Sequence, residues 1–256
     1  MQQEAKKPRK ISTYNMKGGL GKSTLTGNLA HALALLGYKT LFIECDMQRN
    51  ASSILKERPE HSLTDVLTEK VQLSKAIHEA RENYFIVQAD RNLDEAANYI
   101  VMKGWKAYTG FKRAVQELTA YDFILFDYSP SWSAVTEAAL LASDELLVPC
   151  ELEPYSIDGL IEMFHKLREK LDEHKLEIAG ITPTKVDFSS TMTHQYLQQL
   201  KDTFKDKVTP IIRQDKQFPR SQAYRQTIFE FNVKSKAAQD ITELAKFLIK
   251  GGDTNG

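Results

Sequence analysis

The sequence predicts an α/β protein built on a doubly wound, mostly parallel sheet with helices on both faces. Two observations carry that expectation. Short β-branched or aromatic runs alternate with longer helical patterns, the signature of βαβ units. Several of those runs are continuously apolar. Strands buried on both faces read this way because helices cover both sides of a parallel sheet, whereas an antiparallel sheet with one wet face would alternate.

In chain order, the run from Ile11 to Asn15 is the first expected strand, and Lys22 to Leu36 has the pattern of the helix that follows it. Thr40 to Glu44 is the second strand. Further strands are expected at 84–88, 123–127, 145–149, 177–182 and 208–212. Helices are expected at Ser133 to Ala142, Ser156 to Asp172, Thr193 to Phe204 and Ser235 to Ile249, the first and last of these opened by a serine in the N-cap position. The stretch from Asn92 to Tyr121 shows no clear pattern and is assigned to no element. No linker rich in Pro, Gly or Ser interrupts the chain and no repeat period is visible, so 11–250 reads as one domain. Residues 1–10 are expected to be a flexible basic tail and 251–256 a second tail.

Composition narrows the class. The 34 Lys and Arg balance 34 Asp and Glu, and 42% of residues are hydrophobic, as in ordinary soluble globular proteins. No stretch of 18 apolar residues occurs and the charged N-terminus has no apolar run behind it, so the expectation is a cytoplasmic protein with neither membrane span nor signal peptide. Cys45 and Cys150 lie in apolar runs and read as reduced core thiols, and the six histidines never fall at zinc-ligand spacing.

The chemistry begins after the first strand, at Met16-Lys17-Gly18-Gly19-Leu20-Gly21-Lys22-Ser23-Thr24. Glycines where a strand turns into a helix let backbone N–H groups converge on phosphate oxygens, and the helix N-terminus adds its positive end. Lys22 is placed to reach the β- and γ-phosphates of a nucleotide and the Ser23 hydroxyl to ligate Mg²⁺. The general pattern G-x-x-x-x-G-K-S/T has glycine where this chain has Met16. Lys17, five residues before Lys22, is not needed to cradle a nucleotide within one subunit.

That second lysine resembles the signature of the ParA/MinD family of P-loop ATPases, the deviant Walker A motif Lys-Gly-Gly-x-Gly-Lys-Ser/Thr. In that family the lysine crosses a dimer interface to the partner's ATP. Glu44-Cys45-Asp46-Met47-Gln48-Arg49-Asn50 is similar to the family's Asp-x-Asp-Pro-Gln-Gly-Asn. The resemblance implies that Asp46 positions the attacking water and helps organise magnesium. Glu44, Met47 and Arg49 depart from the pattern. The run 123–127 fits a Walker B strand whose final carboxylate, Asp127, holds Mg²⁺ through water, although an isolated strand ending in Asp is common. The following Tyr128-Ser129-Pro130-Ser131 resembles the family's continuation, with Ser129 for a proline. The segment 180–187 is similar to one that borders the adenine in relatives, which implies base contacts from Pro183 and Thr184. Gly18, Gly19, Leu20, Gly21 and Thr24 complete the implied ATP site.

Charge is uneven. Residues 121–158 hold eight acids and no Lys or Arg, whereas 201–236 hold nine basic residues against four acids. Such a patch either binds phosphate backbone or is a mixed solvated surface. The resemblance to ParA relatives implies the first, with nonspecific double-stranded DNA held by residues drawn from Arg213, Lys216, Arg220, Arg225, Lys234 and Lys236. It implies too a nucleotide-dependent homodimer, a ParB-like centromere-binding partner, and the cofactors ATP and Mg²⁺. The membrane-binding branch needs an amphipathic basic tail, and here Ile241, Leu244, Ala245 and Leu248 read as a core-facing stripe. A nitrogenase-reductase-like reading lacks its cysteine after Asp127. No room is seen before the phosphate loop for a helix-turn-helix domain. The leading expectation is a DNA partition ATPase. A ParA-like ATPase that positions a protein cargo, such as a carboxysome or chemoreceptor cluster, and a nucleotide-switched regulator with little turnover remain open alternatives.

Overall fold

The apolar runs become the inner strands of a seven-stranded sheet in a computed structural model that describes residues 7–47, 59–171 and 174–253. The elements are β1 (Arg9–Thr13), α1 (Lys22–Leu35), β2 (Thr40–Cys45), α2 (Leu63–Leu67), β3 (His78–Arg81), β4 (Tyr84–Val87), α3 (Leu93–Lys103), α4 (Trp105–Gln116), β5 (Phe123–Tyr128), α5 (Ala134–Leu141), β6 (Glu145–Cys150), α6 (Ser156–Leu171), β7 (Glu177–Pro183), α7 (Thr191–Phe204), α8 (Gln217–Ala223), α9 (Ile228–Asn232) and α10 (Lys236–Asp253). The strand order is β3-β4-β2-β5-β1-β6-β7. All neighbours pair in parallel except β3, which runs antiparallel to β4 at one edge.

Helices cover both faces, as the continuous apolar strands required. Successive side chains of a strand point to opposite faces. Leu41, Ile43 and Cys45 therefore enter a core shared with Ala138 and Leu141 of α5 and Leu160 and Met163 of α6. Phe42 between them enters a second core with Leu29 and Leu33 of α1 and Ile241 and Leu244 of α10. Sandwiched between sheet and α10, α1 is buried on nearly every side from Leu25 to Ala34, which explains why its sequence is apolar all round.

Capping chemistry sets several helix starts. The Ser133 hydroxyl accepts from the Thr136 N–H and that of Ser235 from the Ala238 N–H, the two expected serine caps. The unassigned stretch 92–121 folds as α3 and α4, broken at Gly104, whose φ of 62° few other residues adopt. The five-residue helices α2 and α9 are held by capping boxes, Ser62 with Asp65 and Thr227 with Glu230.

Three expectations need correction. The segment 208–212 is not a strand: it makes only isolated parallel bridges at Val208 and Arg213. It runs along the free edge of β7, where Thr209 N–H donates to Ile181 O and Ile212 N–H to Pro183 O; these bonds are three residues apart on one side and two on the other, so the two-residue period of a ladder is broken. At that crossing a Cβ on Gly180 would lie 2.3 Å from Thr209 Cγ2, so only glycine fits without a shift. The expected tail 1–10 ends sooner, because β1 starts at Arg9 and is pinned to β6 by the pairs Arg9–Glu145 and Lys10–Asp144. At the other end α10 continues to Asp253, into the expected tail 251–256; residues 1–6 and 254–256 lie outside the described residues. Among the described residues no helix is long and apolar enough to cross a membrane.

Candidate functional site

Parallel sheets present ligands at the carboxyl ends of their strands. Here the ends of β1, β5 and β2 lie side by side, with Thr13 opposite Asp127 and Asp127 opposite Glu44. The loop from β1 to α1 rises over them. Gly19 and Gly21 both take φ of 78°, a left-handed conformation that costs other residues energy. Gly21 is also the N-cap of α1 and offers no side-chain acceptor, so the first N–H groups of α1 are left for a ligand. Leu20 is buried and anchors the loop, while Met16, Lys17, Gly18, Gly19 and Gly21 are exposed. An exposed position makes no packing demand, which accommodates Met16 where the general pattern has glycine.

Lys22 is buried under this loop, and its Nζ donates to the Lys17 carbonyl at 2.9 Å. Burial lowers its pKa, and the charges of Asp127 and Asp46 push it back up. Ser23 and Thr24 are half-buried beside it. Asp46 is buried at the end of β2; Gln48, Arg49 and Asn50 of the same motif lie outside the described residues.

Asp127 is fully buried, and neither carboxylate oxygen has a hydrogen-bond partner of full geometry among the described residues. Burial pushes its pKa up to about 8; the Ser23 hydroxyl draws it down while Glu44 and Asp46 raise it further. A carboxylate left so badly served is suited to a cation. With Ser23 and Asp46 it forms an oxygen-donor set that fits Mg²⁺, which keeps several waters and takes phosphate oxygens for the rest. No group of three His, Cys, Asp or Glu able to hold a metal occurs among the described residues.

The raised pKa has a stability consequence. In the unfolded chain Asp127 titrates near the ordinary 3.8, so between that pH and about 8 the folded state binds the extra proton. The stability that proton contributes is present at low pH and lost as pH rises through the folded pKa. Nucleotide-free Asp127→Asn protein is therefore expected to gain on wild type as pH rises, by at most about 1.4 kcal/mol per pH unit. Thermal melts without magnesium from pH 5 to pH 9 measure this; a difference independent of pH would count against it.

Lys17 reaches the segment that follows β6. Its half-exposed Nζ pairs with Glu153 at 2.5 Å and Glu151 at 3.3 Å, and Glu151 also pairs with Lys185 at 2.9 Å. The Glu153 hydrogen bond, and after it Glu151, raise the Lys17 pKa. A cavity of about 410 Å³ opens beside these groups, between the loop and α6. Glu151 and Glu153 were not singled out from sequence, although their place just past the end of β6 is on the ligand side of the sheet.

On the other flank a cavity of about 310 Å³ is lined by Leu20, Thr24, Thr184, Lys185, Phe218 and Gln222, among others. Thr184 thus lies where a base could sit, while Pro183 is buried at the end of β7. Three hydrogen bonds of 2.7 Å tie α1 to the chain beyond this cavity. Gln222 donates to Thr24, Ile228 N–H donates to Asn28, and His31 bonds Thr227.

The expected DNA contacts divide. Arg213 is paired within the fold: Asp240 holds its guanidinium through both carboxylate oxygens, at 2.6 to 3.1 Å, and accepts its backbone N–H as well. Lys216, Arg220, Arg225, Lys234 and Lys236 are all exposed, and none makes an ion pair among the described residues.

Comparison with known proteins agrees with this arrangement. Residues 8–178 match the protein family described as AAA domain. The Bacillus subtilis sporulation initiation inhibitor protein Soj is 28% identical over 250 residues, which is 94% of this chain and 98% of that protein. The Thermus thermophilus chromosome-partitioning ATPase Soj is 30% identical over 244 residues, 94% and 95% of the two chains. Among solved structures, an ATP complex of a Cyanothece McdA variant superposes with a TM-score of 0.80 at 20% identity, covering 96% of each chain, a likeness of fold. The kinship spans nearly the full length, and the chain belongs to the AAA-domain family as a P-loop ATPase of the ParA/MinD partition type.

Proposed function

We propose that this protein is a Mg²⁺-dependent DNA partition ATPase of slow turnover. It dimerises on ATP, binds double-stranded DNA irrespective of sequence on the nucleoid, and is stimulated by a centromere-binding partner of the ParB kind. The observation that carries the reading is Lys17. A half-exposed lysine beside a phosphate loop, held by Glu151 and Glu153 and not by its own loop, suits a role at a second site. In the proposed mechanism Gly18, Gly19, Leu20 and Gly21 wrap the phosphates, Lys22 binds the β- and γ-phosphates, and Thr24 with Thr184 borders the nucleoside, Pro183 backing Thr184 from the end of β7. Ser23 and Asp127 hold Mg²⁺, which neutralises phosphate charge when bound, and Asp46 orients the attacking water.

Lys17 leaves its two glutamates to neutralise charge on the partner's phosphates, as an arginine finger does. Wild type is expected to dimerise with ATP and not with ADP, and Lys17→Ala to stay monomeric in both, with turnover down by about 10³-fold. Light scattering after size exclusion decides this. A Lys17→Ala protein that dimerises and turns over normally would reduce the lysine to a surface charge.

DNA binding is expected to follow the nucleotide state. If each subunit neutralises about three phosphates, log K against log[salt] should slope near −5 for the dimer at about −0.9 per phosphate. Arg220→Ala or Arg225→Ala should flatten that slope by nearly 2, because both copies are lost. Fluorescence anisotropy of a labelled random duplex with ATP, ADP or no nucleotide measures it. Equal binding in all three states would remove DNA as the track.

A further inference from the structure

The surface proposed to meet DNA carries an aromatic ring that phosphate binding does not use. Tyr224 closes α8 and is 70% exposed. One face of its ring stacks on Phe231, with centroids 5.6 Å apart and planes 27° off parallel. Lys216, Arg220 and Tyr224 follow one another at i, i+4 and i+8, so they share one side of α8, while Ser221 is buried on another. Arg225 comes next in the left-handed conformation, with φ of 53°.

The acids near this stripe are already committed. Glu230 pairs with Arg81 and caps α9, and Asp215 accepts the backbone N–H groups of Gln217 and Ala237. Neither neutralises Arg220 or Arg225, which leaves an exposed ring flanked by unpaired cations. Four residues of helix advance about 6 Å. Lys216, Arg220 and Tyr224 thus succeed one another at about 6 Å, a row that one nucleic-acid strand can follow. A tyrosine already stacked on one side loses little freedom when a base stacks on the other.

Resting on the DNA-binding reading above, we propose that Tyr224 is a base-stacking platform, so that this surface prefers a DNA strand with an unstacked base to intact duplex. Phosphate contacts at Lys216, Arg220 and Arg225 supply the salt-dependent part of binding, and the ring supplies a salt-independent part. Every base has a π-face, so the preference is for unstacked structure and not for sequence.

The test is anisotropy with ATP on three labelled ligands: an intact duplex, the same duplex with a central gap, and its single strand. Wild type is expected to bind the gapped and single-stranded ligands about tenfold more tightly than the duplex. Tyr224→Ala should erase that preference and leave duplex affinity and salt slope unchanged, whereas Tyr224→Phe should keep it, because stacking needs the ring and not the hydroxyl. A Tyr224→Ala protein that retains the preference, or a wild type without one, overturns the proposal. If wild type without a preference still loses affinity on Arg220→Ala and Arg225→Ala, phosphate binding stands and stacking alone falls. If wild type binds none of the three ligands, the DNA-binding reading itself fails.

Discussion

Replacing Lys22 by alanine is expected to weaken MgATP binding by about a hundredfold or more. Its Nζ is buried within a loop whose other phosphate-facing groups are neutral backbone, with Asp127 and Asp46 close enough to shift its pKa. Deleting the charge removes a charge-assisted hydrogen bond worth about 1.5–3 kcal/mol and the longer-range attraction to the remaining phosphates, about 4 kcal/mol for a unit pair at 4 Å and an effective dielectric of 20. Removal also leaves the acids at the strand ends uncompensated, so phosphate approaches a negative site. Calorimetric titration with MgATP measures the loss, and circular dichroism controls for folding. Lys22→Gln, which keeps most of the packing, should lose nearly as much. Affinity within tenfold of wild type in both variants would remove Lys22 from the phosphate site.

Asp46→Ala is expected to separate binding from chemistry. The variant should bind ATP within a fewfold of wild type and still dimerise, while hydrolysis falls by about 10²- to 10³-fold, the range of a positioned acid–base group. A carboxylate that orients water acts more in the transition state than in the ground state, so its loss appears in turnover and not in affinity. Burial at the end of β2, one strand from Asp127, suits Asp46 to that task and keeps competing water away. Single-turnover phosphate release, run beside an equilibrium binding curve, makes the distinction. Unchanged turnover would take Asp46 out of the reaction, and parallel loss of binding and turnover would make it a nucleotide ligand instead.

Much of the frame was readable because its signals are local. The inner strands announced themselves as short β-branched, aromatic or apolar runs, several of them continuously apolar because helices cover both faces. The phosphate loop was readable from spacing, because φ of 78° at Gly19 and Gly21 selects glycine whatever lies around it. The edge strand β3 was not readable: His78 to Arg81 is short and polar, and a register shift interrupts its pairing. α2 and α9 are five residues each, too short to show a helical period. In α3 and α4 a signal existed and went unassigned, for Leu93, Ala96 and Ile100, and then Ala107, Phe111 and Val115, are the buried faces of two helices hinged at Gly104. At 208–212 β-propensity was present, but its bonds to β7 fall out of the two-residue register and no ladder forms.

By itself the sequence determined the chain's class: alternating elements, a glycine loop with two lysines, and an apolar strand ending in Asp127. These depend on backbone conformation and side-chain period over a few residues. What each charge does was decided by the tertiary structure alone. Arg213 looked like its basic neighbours until packing set Asp240, 27 positions away, against it. Lys17 was legible as an extra lysine, but the glutamates that hold it lie 134 and 136 positions along the chain. Asp127 was legible as a carboxylate, and its pKa near 8 arises from complete burial between two strands, with Glu44 and Asp46 close by. Electrostatic partners and desolvation act through space, over distances that sequence separation does not encode, so the site's charges acquire their roles only when the sheet brings the strand ends together.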